Sequence, residues 1–311
     1  MKWKAKAQLQ HAVSLLPPSL SYSVYYWIQR HFGELRKVNP VTRLTAGIGV
    51  CKRIKQFGRT PIGGTFLEVG TGRRINTPVA YWLNGARKII TVDLNPYLKE
   101  ELVREDIAYI AENKEKIKRL FDNYFFEDRF RSLLDLANGE WHLSDLLELC
   151  KVDYLAPQDA ANLPVSAGSV DFHTSYTVLE HIPPDILKLI LQEGKRVITT
   201  NGLFIHRIDC SDHFSHSDRS LSSINFLQYN EQEWNKIAGN RYMYMNRLRV
   251  DDFQQLLQES SHRILDIEPD RDLTAVELIK NGNLKLSNRF KDKSDEVIAT
   301  IGFWIVSEKY G

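Results

Sequence analysis

Cysteine is scarce in this sequence: the 311 residues include only Cys51, Cys150 and Cys210. They lie far apart with no CxxC pair, which excludes a disulfide framework and a cysteine-based zinc site. They read instead as the reduced thiols of a cytoplasmic protein. Charge of one sign is also missing, since 41 Lys and Arg face 39 Asp and Glu for a net charge of +2. Such a chain has no global field to gather a polyanion, so DNA and RNA are not expected partners. No apolar run approaches the ~18 residues that span a bilayer. The start, Met1-Lys-Trp-Lys-Ala-Lys6, is not followed by the apolar stretch of a signal peptide. Repeats and low-complexity tracts are absent. What is there, 43% hydrophobic and 26% charged residues, is ordinary globular composition.

Three zones follow one another. Residues 1–63 read as an N-terminal helical segment, a lid or substrate entrance. Leu9, Val13 and Leu16 recur at helical spacing, Pro17-Pro18 interrupts, and Tyr22, Tyr25, Tyr26, Trp27 and Phe32 follow on a second helix. Lys2, Lys4 and Lys6 next to these aromatics allow a peripheral membrane contact; packing on the domain is the commoner use of such a face.

Residues 64–311 read as the main domain. Strands are expected over Thr65–Val69, Lys88–Val92, Ser169–Thr174 and Leu203–Ile208, with helices over Thr77–Asn84 and from Pro184 to about Arg196. That alternation predicts an α/β fold with a parallel sheet. The charged, helix-favouring stretch of about 96–152 exceeds what a crossover needs and is read as an inserted helical cap. Beyond Cys210 a polar loop leads to a helix near Val250–Glu259 and strands near Arg263–Glu268 and Val297–Val306.

The segment Phe66-Leu-Glu-Val-Gly-Thr-Gly72 places a glycine turn between a strand and a helix, where glycine lets a ligand approach the backbone. A third glycine is missing, and Arg73-Arg74 stands there instead. Asp93 ends the next strand, Ile89-Ile-Thr-Val-Asp93, where a carboxylate can accept from a ribose diol. Turn and carboxylate together indicate an adenosine ligand, without choosing between a nicotinamide dinucleotide and S-adenosylmethionine.

Further along come Asp159-Ala160 and Leu179-Glu-His181, the latter just after a predicted strand. This order of motifs, from about Phe66 to Asp209, resembles the class I S-adenosylmethionine-dependent methyltransferases, in particular the group that includes ubiquinone- and menaquinone-biosynthesis enzymes. The resemblance implies a Rossmann-like fold with a seven-stranded, mostly parallel sheet, helices on both faces and a helical cap. It implies S-adenosylmethionine as cofactor. Glu68, Gly70, Thr71 and Gly72 would border its methionine part, Asp93 would hold the ribose, and Leu94 would flank the adenine. Asp159 and the Ala160 backbone would meet the adenine edge, and Thr177 would lie under the sulfonium. Arg73-Arg74 departs from the small residue many relatives carry.

Methyl transfer needs a base only where the acceptor must lose a proton, and histidine is the usual one. Strand polarity offers His181, His206, Asp209, His213 and His216; we take His181, His213 and His216 as the catalytic candidates. The run Asp209-x-x-x-His213-x-x-His216-x-Asp218 also invites a metal reading, but a loop fixes no ligand geometry. No metal is expected, and the loop is read as acceptor-binding. The aromatics and amides of Asn225–Tyr244 and the run Asn246-Arg247-Leu-Arg249 suit a sugar-like acceptor. The expectation is O-methylation of a hydroxyl on a small molecule, natural product or glycan. N-methylation, a nicotinamide-dependent oxidoreductase and a non-catalytic cofactor-binding protein are the alternatives.

Overall fold

Apolar residues in Phe66-Leu-Glu-Val69 send Phe66 to one face of the sheet and Leu67 and Val69 to the other, and both faces are covered. The computed structural model describes residues 2–122 and 125–310. Strands β1 (Thr65–Val69), β2 (Lys88–Val92), β3 (Val152–Leu155), β4 (Val170–Tyr176), β5 (Ile198–Asp209), β6 (His262–Arg271) and β7 (Thr300–Lys309) form one sheet in the order β3-β2-β1-β4-β5-β7-β6. β1 to β5 run parallel, and β7 pairs antiparallel with both β5 and β6. Chain order reverses between β1 and β4, the point where open α/β sheets bind ligands beyond their strand ends.

Helices α1 (Trp3–Ser14), α2 (Pro18–Phe32) and α3 (Pro40–Gln56) precede the sheet, and α4 (Asn76–Leu83) follows β1. The segment expected as one N-terminal lid therefore divides. α3 buries Leu44, Ile48, Val50, Cys51 and Ile54 in the main core and belongs to the helical layer. Only α1 and α2 lie outside that layer's core, because α2 buries just Ser21 and α1 just Ala7, Gln10 and Val13.

The stretch expected as an inserted cap forms α5 (Glu100–Glu112), α6 (Lys114–Leu120), α7 (Glu127–Asn138) and α8 (Leu143–Leu149). Val103, Ile107, Ile117, Phe130, Leu133 and Leu146 join the same core as α3, α4 and the sheet. This insertion thickens one helical layer and does not roof the strand ends. The roof comes from elsewhere. A second core gathers Ala7 of α1, Phe214, Phe226, Trp234, Met243, Met245, Ala275 and Phe290. It is built by residues beyond β5, including α10 (Glu231–Ala238) and α12 (Leu273–Lys280), with α9 (Pro184–Val197) and α11 (Val250–Glu259) on the sheet's opposite face. The last strand starts later than Val297, because Ser294 caps α13 (Asp295–Ala299) through the Val297 N–H.

Candidate active site

Two glycines shape the turn after β1. Gly70 has φ +89° and packs so close to Val178 that a Cβ would fall 2.5 Å from its Cγ2. Gly72 has φ +68°, and a Cβ there would meet nothing within 4 Å. One glycine is needed for packing and the other opens the backbone to a ligand. The Gly72 N–H donates to Asp93 Oδ2 at 2.9 Å, and the Asn95 N–H donates to Oδ1 at 3.1 Å. Burial raises the Asp93 pKa while these two donors lower it. Each oxygen keeps a lone pair for a ribose hydroxyl. Leu94 beside it is 64% exposed, an apolar surface at the place expected for adenine.

Glu68 does not reach the ligand side. It is buried and accepts from Thr91 Oγ1 at 2.9 Å, and Thr91 in turn meets Thr71 Oγ1 at 2.7 Å. Burial pushes the Glu68 pKa up to about 7. Glu68 and Thr71 therefore support the turn from beneath. Asp159 is exposed and accepts from the Ala161 N–H at 2.8 Å, next to buried Ala160. Thr177, just after β4, holds φ +52°, a strained value for a residue with a Cβ, and its N–H donates to Arg207 O at 2.8 Å.

Arg73 and Arg74 part company. Arg74 pairs with Asp106 and donates to Leu102 O at 3.0 Å, while Asn76 donates to the same carboxylate at 2.6 Å, so Arg74 ties the turn to α5. Arg73 lies over the rings of Tyr26 and Tyr97, 4.9 and 5.1 Å from their centroids. Among the described residues it has no carboxylate partner. Helix α2 is held against α5 by Tyr26 donating to Glu101 at 2.6 Å and by the ion pair of Arg30 with Glu105.

The histidines divide as well. His206 is fully buried inside the sheet's packing, bonded at Nδ1 to Ser175 Oγ at 2.8 Å and lying 5.3 Å from His173. Burial holds its pKa well below the usual value. His206 is thus a neutral core residue and drops from the base candidates. His181, His213 and His216 do come together, with ring centroids 5.0 Å apart for each successive pair. His181 ends the single turn Leu179–His181, fixed by Asn246 donating to Leu179 O and Ile182 O at 2.8 and 2.9 Å. Its Nδ1 donates to Tyr244 O at 2.9 Å, and surrounding protein, then His213, hold its pKa down to about 4.

Asp209 faces both other rings, 3.4 Å from His213 Nε2 and 3.9 Å from His216 Nε2. Burial acts to raise its pKa, but His213 and the Ser211 hydroxyl and N–H outweigh it and keep the carboxylate ionised. Asp218 does not join the group; it accepts from the Trp3 and Ser220 N–H groups. Ser211 had escaped sequence reasoning because nothing but proximity marks it. Glu180 stood in a quoted motif without a role, although a carboxylate between apolar Leu179 and the turn was a signal.

Arg247 and Arg249, read from sequence as acceptor donors, are structural. Both are at most 2% exposed. Arg247 donates to Phe226 O and Tyr229 O and pairs with Glu231, and Arg249 donates to Cys210 O, Ile298 O and Thr300 O.

A family model described as "Methyltransferase domain" matches residues 133–206. That stretch contains β3, β4, Asp159-Ala160 and Leu179-Glu-His181, with the glycine turn upstream of it. A curated relative, UvrABC system protein B of Kosmotoga olearia, is 22% identical over 303 residues, covering 87% of this chain. The chain spans only 43% of that protein's length. Among solved structures it is similar to an S-adenosylmethionine-dependent methyltransferase from Clostridium acetobutylicum, with 14% identity, 93% and 99% coverage and TM-score 0.47. It is also similar to magnesium protoporphyrin IX methyltransferase from Synechocystis with bound S-adenosylhomocysteine, with 12% identity, 93% and 94% coverage and TM-score 0.47. The methyltransferase-domain match thus covers part of this sheet, next to a turn and a carboxylate fit for an adenosine ligand.

Proposed function

We propose that the enzyme methylates an oxygen of a hydroxylated small molecule or glycan. The relay Asp209–Ser211–His216 carries this reading. Ser211 Oγ donates to Asp209 Oδ1 at 2.6 Å, so its contact with His216 Nε2 at 2.8 Å must be accepted from the ring. His216 Nδ1 is then the free lone pair, on an exposed ring at the mouth beside β5. This tautomer is assigned from the hydrogen bonds. Burial, then His213, keep the His216 pKa below its usual value, so the ring is neutral and ready to accept a proton at pH 7.

S-adenosylmethionine supplies a methyl group already activated on sulfonium sulfur. The acceptor oxygen attacks the methyl carbon, its proton passes to His216 Nδ1, and the carbon–sulfur electron pair stays on sulfur. Holding the acceptor in line supplies most of the acceleration; the base adds about 10²–10⁴-fold. Arg73, with no acidic partner among the described residues, would meet the cofactor carboxylate. A cavity of about 240 Å³ lined by Pro184, Trp234, Asn235, Tyr244 and Arg289 adjoins His181 through Tyr244. A cavity below about 300 Å³ suits a single ring better than a large scaffold.

Peripheral membrane contact is a narrower proposal. It is supported by Leu15, Leu20, Trp27 and Phe32, 50–75% exposed on and between α1 and α2. No helix of the described residues is long and apolar enough to cross a membrane.

The reading is tested by offering labelled S-adenosylmethionine with hydroxylated sugars and phenols, and with their amino and O-capped analogues. Transfer that vanishes on capping supports it. Equal transfer to the amino analogues overturns it.

A further inference from the structure

Glu180 is the anomaly of the site. It is 2% exposed, and among the described residues neither carboxylate oxygen has a hydrogen-bond partner. Among the described residues no Lys or Arg pairs with it; Arg43, whose charge acts on it, donates to Tyr176 O instead. An ionised carboxylate left so would cost several kcal/mol, so it must be protonated or matched by a cation. Burial, with the Asp209 carboxylate adding to it, drives its pKa well above the usual value, and nearby backbone N–H groups and Arg43 offset that only in part.

Its neighbours are metal ligands by type. One ligand atom each from Glu180, His181 and His213 lie within 4.8 Å of one another. Bonds of about 2.0–2.2 Å at near-tetrahedral angles set ligand atoms about 3.3–3.6 Å apart. Side-chain shifts on the order of an ångström therefore close the set. His181 is already arranged as a ligand: its Nδ1–H is spent on Tyr244 O, which leaves the Nε2 lone pair outward, the usual outer-shell device of metal-bound imidazole. His213 Nε2 is buried without a hydrogen bond. Asp209, ionised and 3.4 Å from that nitrogen, adds negative charge behind it.

We propose that Glu180, His181 and His213 form a binding site for one divalent transition ion of the zinc type, open on the side of the acceptor. Two imidazoles and one carboxylate suit such an ion, whereas magnesium and calcium prefer all-oxygen shells. Three protein ligands leave a coordination position, which water or an acceptor oxygen fills. An acceptor hydroxyl bound there would lose its proton to His216 more readily. That consequence rests on the O-methylation reading; the ion binding does not, and the experiment reads binding alone.

Full-length protein, stripped with a chelator, is titrated with Zn²⁺ by calorimetry and with Co²⁺ by visible absorption. One ion binds per chain, and Co²⁺ gives the absorption of a low-coordinate nitrogen–oxygen site. Glu180→Gln, which keeps shape and removes charge, weakens binding at least tenfold, as does His181→Ala, an exposed change that spares the fold. His216→Ala leaves ion affinity within threefold. Failure of the native protein to bind either ion overturns the proposal. So does binding unaffected by Glu180→Gln and His181→Ala, which would place the ion elsewhere, for example on a cysteine. Should Glu180→Gln fail to fold, His181→Ala decides alone.

Discussion

At the glycine turn the groups facing a ligand are backbone N–H groups, an open glycine and one carboxylate, all held at strand ends. In the roof beyond β5 they are side chains held by other side chains, as Asp209 holds Ser211 and Ser211 holds His216. The first arrangement is local: Gly72 and Asp93 are fixed by adjacent parallel strands. The second is assembled from afar, with Trp3 of α1 against Phe214 and Arg249 against the carbonyl of Thr300. On the proposed reading the cofactor would be served by a turn built from adjacent strands, and the acceptor by side chains gathered from distant segments.

If the roof really depends on its buried cations, Arg249→Ala should destabilise the protein by about 3–5 kcal/mol, since three buried carbonyls lose their donor. Denaturant unfolding measures this; a loss under about 1 kcal/mol would mean the roof stands without it. Removing Asp93 attacks the other region. Two charge-assisted hydrogen bonds at about 1.5–3 kcal/mol each predict at least a 100-fold loss of S-adenosylhomocysteine affinity in Asp93→Ala. Unchanged affinity by calorimetry would refute the ribose assignment.

His216→Ala separates the two regions. Turnover should fall by about 10²–10⁴-fold with cofactor affinity intact. In the wild-type enzyme the rate should rise with pH through a value below 6.5 and level off by neutrality, because the base acts only once deprotonated and its pKa is depressed. A profile still rising above pH 8 would point to another group. The smallest effect is expected at α2, where Leu20→Ser with Phe32→Ser should change stability by no more than about 0.5 kcal/mol per site. Cosedimentation with anionic vesicles should drop in that variant; equal cosedimentation would remove the membrane contact.

Much of the sheet was readable because its signals are short in sequence. β1 and β2 lie where alternation put them, and α9 begins at Pro184 because proline suits a first helical turn. β3, with four residues of which only Val152 is buried, carried too little pattern to be seen. The stretch 96–152 was legible as helical but not as to what it covers, since an amphipathic face does not say which surface it will meet. Arg247 and Arg249 looked like ligand donors because a buried, carbonyl-bound arginine and an exposed one are written alike.

By itself, then, the sequence determined the parallel α/β sheet, the glycine turn and the carboxylate at the end of β2, which together indicate an adenosine ligand, because each depends on neighbours a few residues or one strand away. Only the tertiary structure decided that Arg74 pairs with Asp106 while Arg73 lies over two tyrosine rings, that His206 is core while His181, His213 and His216 converge, and that Glu180 is a buried carboxylate with no partner among the described residues. Those outcomes depend on which distant segments exclude water from a side chain, and burial of that kind is not written in local spacing.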